Sequence, residues 1–384
     1  VGEVPVLIDV FLVMGFALIL SWVWSRFEKS EPDWEELYGI LRIVVRYRLA
    51  AALLAYAFIK IFPIQSPYPS ITVLNTAYGD LSAWKIFSLS LGIVPDYQTF
   101  LGLFELVAAL LLLNRKTASI GAFIAILFLG NVAMSNLAYE GGEFVYSGVL
   151  VLFATFTFLH DWPKFYTLLF LRKPTLPEAY SKPLAAQISA STSLALKYSF
   201  ILVFVLGYGI LVYTGYHDNL TKYPGSQGVD GLAGVYDVQE FVINGDTIPY
   251  DDEAGSKRWR RVVFEEWATL AIETGEEANV DLANREYIGV SNPKRLYETQ
   301  GIQGWKFYEY GFSDEDKKLS LTNRNPNHPQ ETFHITLLSA GDGRLKVAGK
   351  DAAGDDFQAT LVRNTTKYLL QEARNAGRRG KLIL

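Results

Sequence analysis

Long apolar runs constrain this chain more than any other feature. About 20 consecutive apolar residues cross the hydrocarbon core of a bilayer as a helix, with every backbone group bonded internally. Six runs of this kind precede the polar C-terminal part: Val4–Trp24, Val45–Phe62, Tyr97–Leu113, Ala118–Ala138, Phe144–Leu159 and Leu194–Tyr213. They lack the polar face that helices of a soluble bundle carry. From His217 to Leu384 the texture changes to charged and Gly/Asn-rich, as in a water-soluble domain. The expected division is an N-terminal transmembrane helix over 1–30, a four-helix core with an interfacial helix over 31–174, a linker and last span over 175–216, and a β-rich domain over 217–384. The first run has no basic leader and no Ala-x-Ala-like site, so it reads as a retained helix.

Loop charge sets the expected orientation. The first connection carries Arg26, Lys29, Arg42, Arg46 and Arg48, the third Arg115 and Lys116, and the fifth Lys164, Arg172, Lys173, Lys182 and Lys197. The second carries only Lys85, and the fourth, "YEGGE", has no basic residue. The alternation predicts a multi-pass protein with the odd connections cytoplasmic and both termini outside, which in a bacterial cell makes the C-terminal domain periplasmic. Asp33 is placed to cap the helix that runs into the second span, with Glu35 and Glu36 in its first turn. "HDWPKFYTLLFLRKP" mixes aromatic, apolar and basic residues like an interfacial helix, or extends the fifth span. The long Pro- and aromatic-rich connection from Phe62 to Tyr97 reads as a lid over a cavity or as a structural cap, with a short helix at "AWKIFSLSLG".

Composition excludes several chemistries. The chain has no cysteine, which removes disulfides, thiolate metal sites and thiol redox chemistry. Its net charge of −5 is mild and argues neither for nor against a partner, but its basic residues are scattered, so nucleic acid is not an expected partner. His160 and His217 fall on opposite sides of the expected topology, which rules out a bis-histidine haem between them. "HPQETFH", with His328 and His334, has no familiar metal spacing, and no metal site is expected.

The intramembrane polar residues are the candidate site. Glu105 lies within "FLGLFELVAALLLLNRK", about 8 residues or roughly 12 Å below the outer end of its span. Asn131 is roughly 10 Å deep in the next span, with Asn136 shallower. Lys60 sits near the outer end of the second span with Tyr56 one turn deeper. Matching depths predict one cluster of Glu105, Asn131, Lys60 and Tyr56, with Asn136 and Asp80 above. A carboxylate there must be paired, hydrated or protonated. The cluster either bonds the helices together or lines a cavity open to the outside that handles a proton, a quinone headgroup or another small polar group.

In the C-terminal part the hydrophobic period changes to two. "GVYDVQEFVING", "RWRRVVFEEW", "ATLAIETG", "REYIGVS", "GWKFYEYG", "KLSLTNR", "ETFHITLLS", "RLKVAGK" and "DFQATLVRN" read as strands, separated by turns such as "NGD" and "AGDG". An antiparallel meander of this length closes into an up-and-down barrel or opens into a sandwich. Trp259, Trp267, Trp305, Phe307 and Tyr308 are expected to line its interior, as core or around a ligand. No catalytic constellation stands out, so the chain is not expected to be an enzyme on its own.

The stretches "RYRLAAALLAYAFIKIFPIQ", "AYGDLSAWKIFSLSLGIVPDYQTFLGLFELVAALLLLNRKTASIGAFI", "GNVAMSNLAYE" and "LHDWPKFYTLLF" resemble a DoxX-like family of bacterial inner-membrane proteins of the Bacteroidetes type. That family is distantly similar to DoxD, the membrane subunit of a thiosulfate:quinone oxidoreductase. The resemblance covers roughly Arg46 to Pro174 and implies a four-helix membrane core. "GLAGVYDVQEF" is similar to the opening strand of lipocalin-like domains. The function implied is an accessory or structural subunit of a larger membrane complex, respiratory or quinone-linked, whose partners are the bilayer and other membrane subunits. Two alternatives are a quinone-interacting oxidoreductase subunit using the outer-leaflet cavity, and a protein that binds a lipid or other apolar ligand. Quinone is the one cofactor implied, and the resemblance brings no catalytic residue.

Overall fold

The computed structural model describes residues 4–27, 33–175, 189–218, 223–250, 255–276, 280–282, 295–325, 331–341 and 343–376. The expected strand "REYIGVS" and His328 lie outside them. The chain forms two compact units, Val1–Pro63 with Asp96–Asp218, and Ile64–Pro95 with Asn219–Leu384. Its helices in chain order are α1 (Val4–Phe27), α2 (Trp34–Ile61), α3 (Ile71–Leu74), α4 (Ala83–Gly92), α5 (Pro95–Leu113), α6 (Ala118–Ala138), α7 (Phe144–Leu159), α8 (Trp162–Leu169), α9 (Ala190–Phe200), α10 (Tyr208–His217) and α11 (Leu369–Ala376).

Among its described residues the first unit is all helical. Three of the described helices are long and apolar enough to cross a membrane: α5, α6 and Ser191–His217, where a π-helical stretch Ile201–Gly207 joins α9 to α10. The pair α7 and α8 makes a fourth span if taken together, bent by 68° at the break. That bend turns "WPKFYTLL" away from a straight extension of α7. The other two expected runs are helices of different character. The described apolar part of α1, Phe11–Phe27, is shorter. In α2, which is 28 residues long, Arg42, Arg46, Arg48 and Lys60 interrupt the apolar run. Asp33 caps α2 as its sequence predicts, accepting from the backbone N–H of Glu35 at 3.1 Å and of Glu36 at 3.2 Å. Half of α2, from Leu49 to Lys60, is largely buried, so this helix is the packing centre of the unit.

The second unit is built on a sheet of β1 (Gly234–Ile243), β2 (Asp246–Thr247), β3 (Trp259–Phe264), β4 (Thr269–Thr274), β5 (Trp305–Ser313), β6 (Lys318–Asn323), β7 (Thr332–Gly341), β8 (Arg344–Lys350) and β9 (Asp356–Arg363). Neighbours in this order are antiparallel, except that β2 pairs only with the end of β1, and β3 follows β1. The sheet closes where β9 returns to β1, in a register from Tyr236 opposite Arg363 to Ile243 opposite Phe357. Among the described residues this is a closed barrel of eight strands with β2 as a short extension, and closure removes the open edges a sandwich would leave. "NGD" makes the β1–β2 hairpin. Asn244 and Gly245 both have positive φ, 50° and 90°, which suits a two-residue turn of the primed type.

Side chains fill the barrel. Phe241, Trp259 and Phe357 pack around one another with ring centroids 4.8 to 6.2 Å apart, among Tyr236, Val262, Phe264, Leu270 and Leu319. Of the five aromatics expected inside, Trp259 and Tyr308 are there. Trp305 and Phe307 are on the opposite face, because residues an odd number of positions from Tyr308 along a strand point away from it. Trp267 stacks on Tyr223 at 4.3 Å.

That outer face is itself buried. Val235, Val263, Ala271, Trp305 and Phe307 pack against Val73, Leu89 and Ile302, with Ile71 and Leu81 beside them. The connection between α2 and α5 therefore lies on the outside of the barrel. Strands β6, β8 and β9 keep the simple alternation of buried and exposed residues, whereas β3 to β5 are buried on both faces.

Buried polar groups lock the segment in place. Glu265 accepts from Ile71 N at 3.0 Å, Thr72 N at 2.8 Å and Thr72 Oγ1 at 2.6 Å. Within the C-terminal part itself, Glu298 accepts from Trp267 Nε1 at 2.7 Å and Thr269 Oγ1 at 3.0 Å, and lies 3.2 Å from Arg324 Nε, whose N–H is not aligned for a hydrogen bond. Lys85, fully buried, donates to the Tyr297 carbonyl and sits 3.6 Å from the centre of that ring. Tyr223 OH donates to Tyr68 O at 2.9 Å.

Burial pushes the Glu265 carboxyl up to about 7, outweighing its three donors, and the charge of Glu298 adds to the shift. An unfolded glutamate releases its proton near 4.5. Between those values the folded state holds a proton that the unfolded state has lost, so stability falls as pH rises. Denaturant unfolding of the intact protein, followed by tryptophan fluorescence, should show the second unit losing up to roughly 3 kcal/mol between pH ~5 and ~8. Glu265→Gln should be less stable at the lower pH, through a lost hydrogen bond, but should lose most of this pH dependence. An unchanged slope in Glu265→Gln would assign the effect to another group.

Candidate functional site: a buried ion pair between two helices

The buried side of α5 follows from its residue spacing. Gln98, Gly102, Glu105, Ala108, Ala109 and Leu112 recur every three or four positions and are all buried. Glu105 therefore faces into the helical unit, where it is 1% exposed. Facing it from α2 is Lys60, 6% exposed. The Lys60 ammonium donates to both carboxylate oxygens, at 2.8 Å to Oε2 and 3.1 Å to Oε1.

Aromatic rings flank the lysine. Its Nζ lies 5.1 Å from the centre of Tyr56 and 6.0 Å from that of Phe128. Tyr56 in turn donates its hydroxyl to Glu143 Oε2 at 2.8 Å. Its ring is 6.2 Å from that of Tyr146, whose hydroxyl accepts from Arg48 Nη2 at 3.1 Å.

Glycine makes the helix approach close enough for this. A Cβ on Gly102 would sit 2.6 Å from Ala57 O and 2.7 Å from Ile61 N. Small residues at an interface let membrane helices pack backbone to backbone. Here that packing sets the short span that Lys60 and Glu105 bridge.

The structure brings together Glu105, Lys60 and Tyr56, and leaves the other three expected members apart. Asn131 is exposed on the outer surface of α6. The buried side of that helix runs through Ala118, Gly121, Ala122, Ala125 and Leu129, and two residues beyond Leu129 is a turn of about 200°. Asn136 donates to Val132 O of its own helix at 2.9 Å. Asp80 belongs to the second unit, where its carbonyl accepts from Gln303 N at 2.8 Å. Glu143 is the member that sequence reasoning missed. Its signal was its place in "YEGGE", immediately before the apolar run of α7.

The arrangement is a neutralised pair rather than a lone charge. An ammonium and a carboxylate taken from water together lose less than either alone, provided each keeps its partner. Any change in the protonation of one leaves the other uncompensated. Among the described residues no group of three or more His, Asp or Glu is placed to hold a metal ion. No protein-family model, curated protein or solved structure matches the chain.

The Gly102 contact can be tested by adding one methyl group. Gly102→Ala forces α2 and α5 apart or displaces backbone, and should lower stability by about 1–3 kcal/mol. Gly130→Ala, where a Cβ meets nothing within 4 Å, is the control and should be neutral or slightly stabilising. Thermal unfolding in detergent measures both. Equal behaviour of the two variants would show that the helices do not depend on this approach.

Proposed function

We propose that the chain is a DoxX-like protein of a bacterial inner membrane that serves as an accessory, structural subunit of a larger membrane complex. The observation that carries this reading is the Lys60–Glu105 pair. Both carboxylate oxygens are engaged by one lysine inside the helical unit, which favours a role in holding helices over one in receiving a ligand. The apolar and aromatic core packed inside the barrel supports the same reading over a carrier of an apolar ligand.

Support for a single outer side comes from chain connectivity. The α2–α5 connection packs with the C-terminal barrel as one unit, so both segments leave the helices on the same side of a membrane. The basic residues of the alternate connections favour the cytoplasm for the other side, and that makes the barrel periplasmic in this reading.

A quinone-linked oxidoreductase subunit is the second reading. It draws on the Tyr56–Glu143 hydrogen bond, a hydroxyl donor held against a carboxylate one helical turn from Lys60.

Purification from native membranes in mild detergent, followed by mass spectrometry of proteins and small molecules, tests the two. The structural reading predicts other membrane proteins retained in fixed stoichiometry and no equimolar quinone. A chain that purifies alone with equimolar quinone, lost in Tyr56→Phe, would replace it with the second reading.

A further inference from the structure

The end of the helical unit remote from Lys60 holds a cluster that the ion-pair site does not use. Arg42 and Arg46 lie one turn apart on α2, so they share a face. Arg115, in the turn between α5 and α6, is within electrostatic reach of Arg46. Lys164 comes from α8. Arg42 and Lys164 meet at the Asp161 carboxylate, with Arg46 and Arg115 in reach of one another beside them. That carboxylate is already held by Lys164 at 2.9 Å and by the Ser119 hydroxyl, and Arg42 stands 3.9 Å from it.

Each arginine keeps one N–H without a partner among the described residues. Nε of Arg42 and Nε of Arg46 are both buried without a hydrogen-bond partner. Their guanidinium groups lie over aromatic rings instead, Arg42 at 5.9 Å from Tyr38 and Arg46 at 5.3 Å from Tyr47. A buried N–H left unbonded is costly, and like charges one turn apart repel. Both costs are removed by an anion with several oxygens, and the planar guanidinium fork matches a phosphate.

We propose that Arg42 and Arg46, with Arg115 and Lys164 beside them, form a binding site for the phosphate of an anionic phospholipid. The surrounding surface selects a lipid over free phosphate. Leu41, Ile43 and Val44 are exposed on α2 beside the arginines, as are Leu168 and Leu169 at the end of α8. They give acyl chains apolar surface to lie against. The neighbouring Arg42 and Arg46 select an anionic headgroup over a zwitterionic one, because a choline or ethanolamine ammonium would be brought against both.

The test is native mass spectrometry of the full chain released from bilayers of mixed phosphatidylglycerol and phosphatidylcholine. The wild type should retain phosphatidylglycerol with about tenfold preference or more, as one or two charge-assisted contacts would give. Arg42→Gln with Arg46→Gln should reduce that preference to near unity. Arg46→Lys, which keeps the charge and loses the fork, should be intermediate and carries the comparison if the double variant does not fold. Equal retention of the two lipids by the wild type overturns the proposal, as does undiminished preference in the folded double variant or in Arg46→Lys. Displacement of the lipid by inorganic phosphate alone would overturn the lipid assignment in favour of a free anion.

Discussion

The ion pair between Lys60 and Glu105 is the constraint around which the helical unit is organised. Within lipid, apolar helices gain little by leaving one apolar surface for another, so packing and polar contacts must hold them together. Helix α2 supplies both. Its residues Ala57 and Ile61 accept the close approach of Gly102, and its Lys60 closes on Glu105 one turn further along α5. The same two helices are those between which the chain leaves for the second unit and returns.

The second unit uses the same device in a different solvent. A barrel of this size is stabilised chiefly by the aromatic and aliphatic side chains inside it. Its second layer, the segment from Ile64 to Pro95, is too short and irregular to hold itself. Fully buried Lys85 and the nearly buried Glu265 pin it, each through backbone groups of the partner segment. In each unit a buried charged group specifies which segments meet. The cost is that each such group must keep its partner, since an abandoned buried charge is far more destabilising than a missing apolar contact.

Much of this was legible in the sequence, for local reasons. Apolar runs of span length, the Asp33 cap, the alternating strands and the Asn-Gly turn all depend on residues near one another along the chain. Depth along the spans likewise brings Lys60, Tyr56 and Glu105 to one level. Depth says nothing about direction around a helix, however, and Asn131 shares the level of Glu105 while facing outward. A strand likewise has two faces, which separates Trp305 and Phe307 from Tyr308. The docking of the α2–α5 connection was not legible, because it rests on contacts such as Thr72 with Glu265, 193 residues apart, that no local period records. Glu143 was hidden for a related reason: an acidic residue before a helix looks like ordinary loop until its Tyr56 partner is known.

The central claim is that Lys60 and Glu105 matter to each other as a structural pair. A double-mutant cycle with Lys60→Met, Glu105→Leu and the combined variant, read by unfolding of the detergent-solubilised full chain, measures that directly. The account predicts that each single change costs about 3–5 kcal/mol and that the combined apolar variant recovers most of the loss. Losses that simply add in the combined variant, or single variants as stable as the wild type, would contradict it.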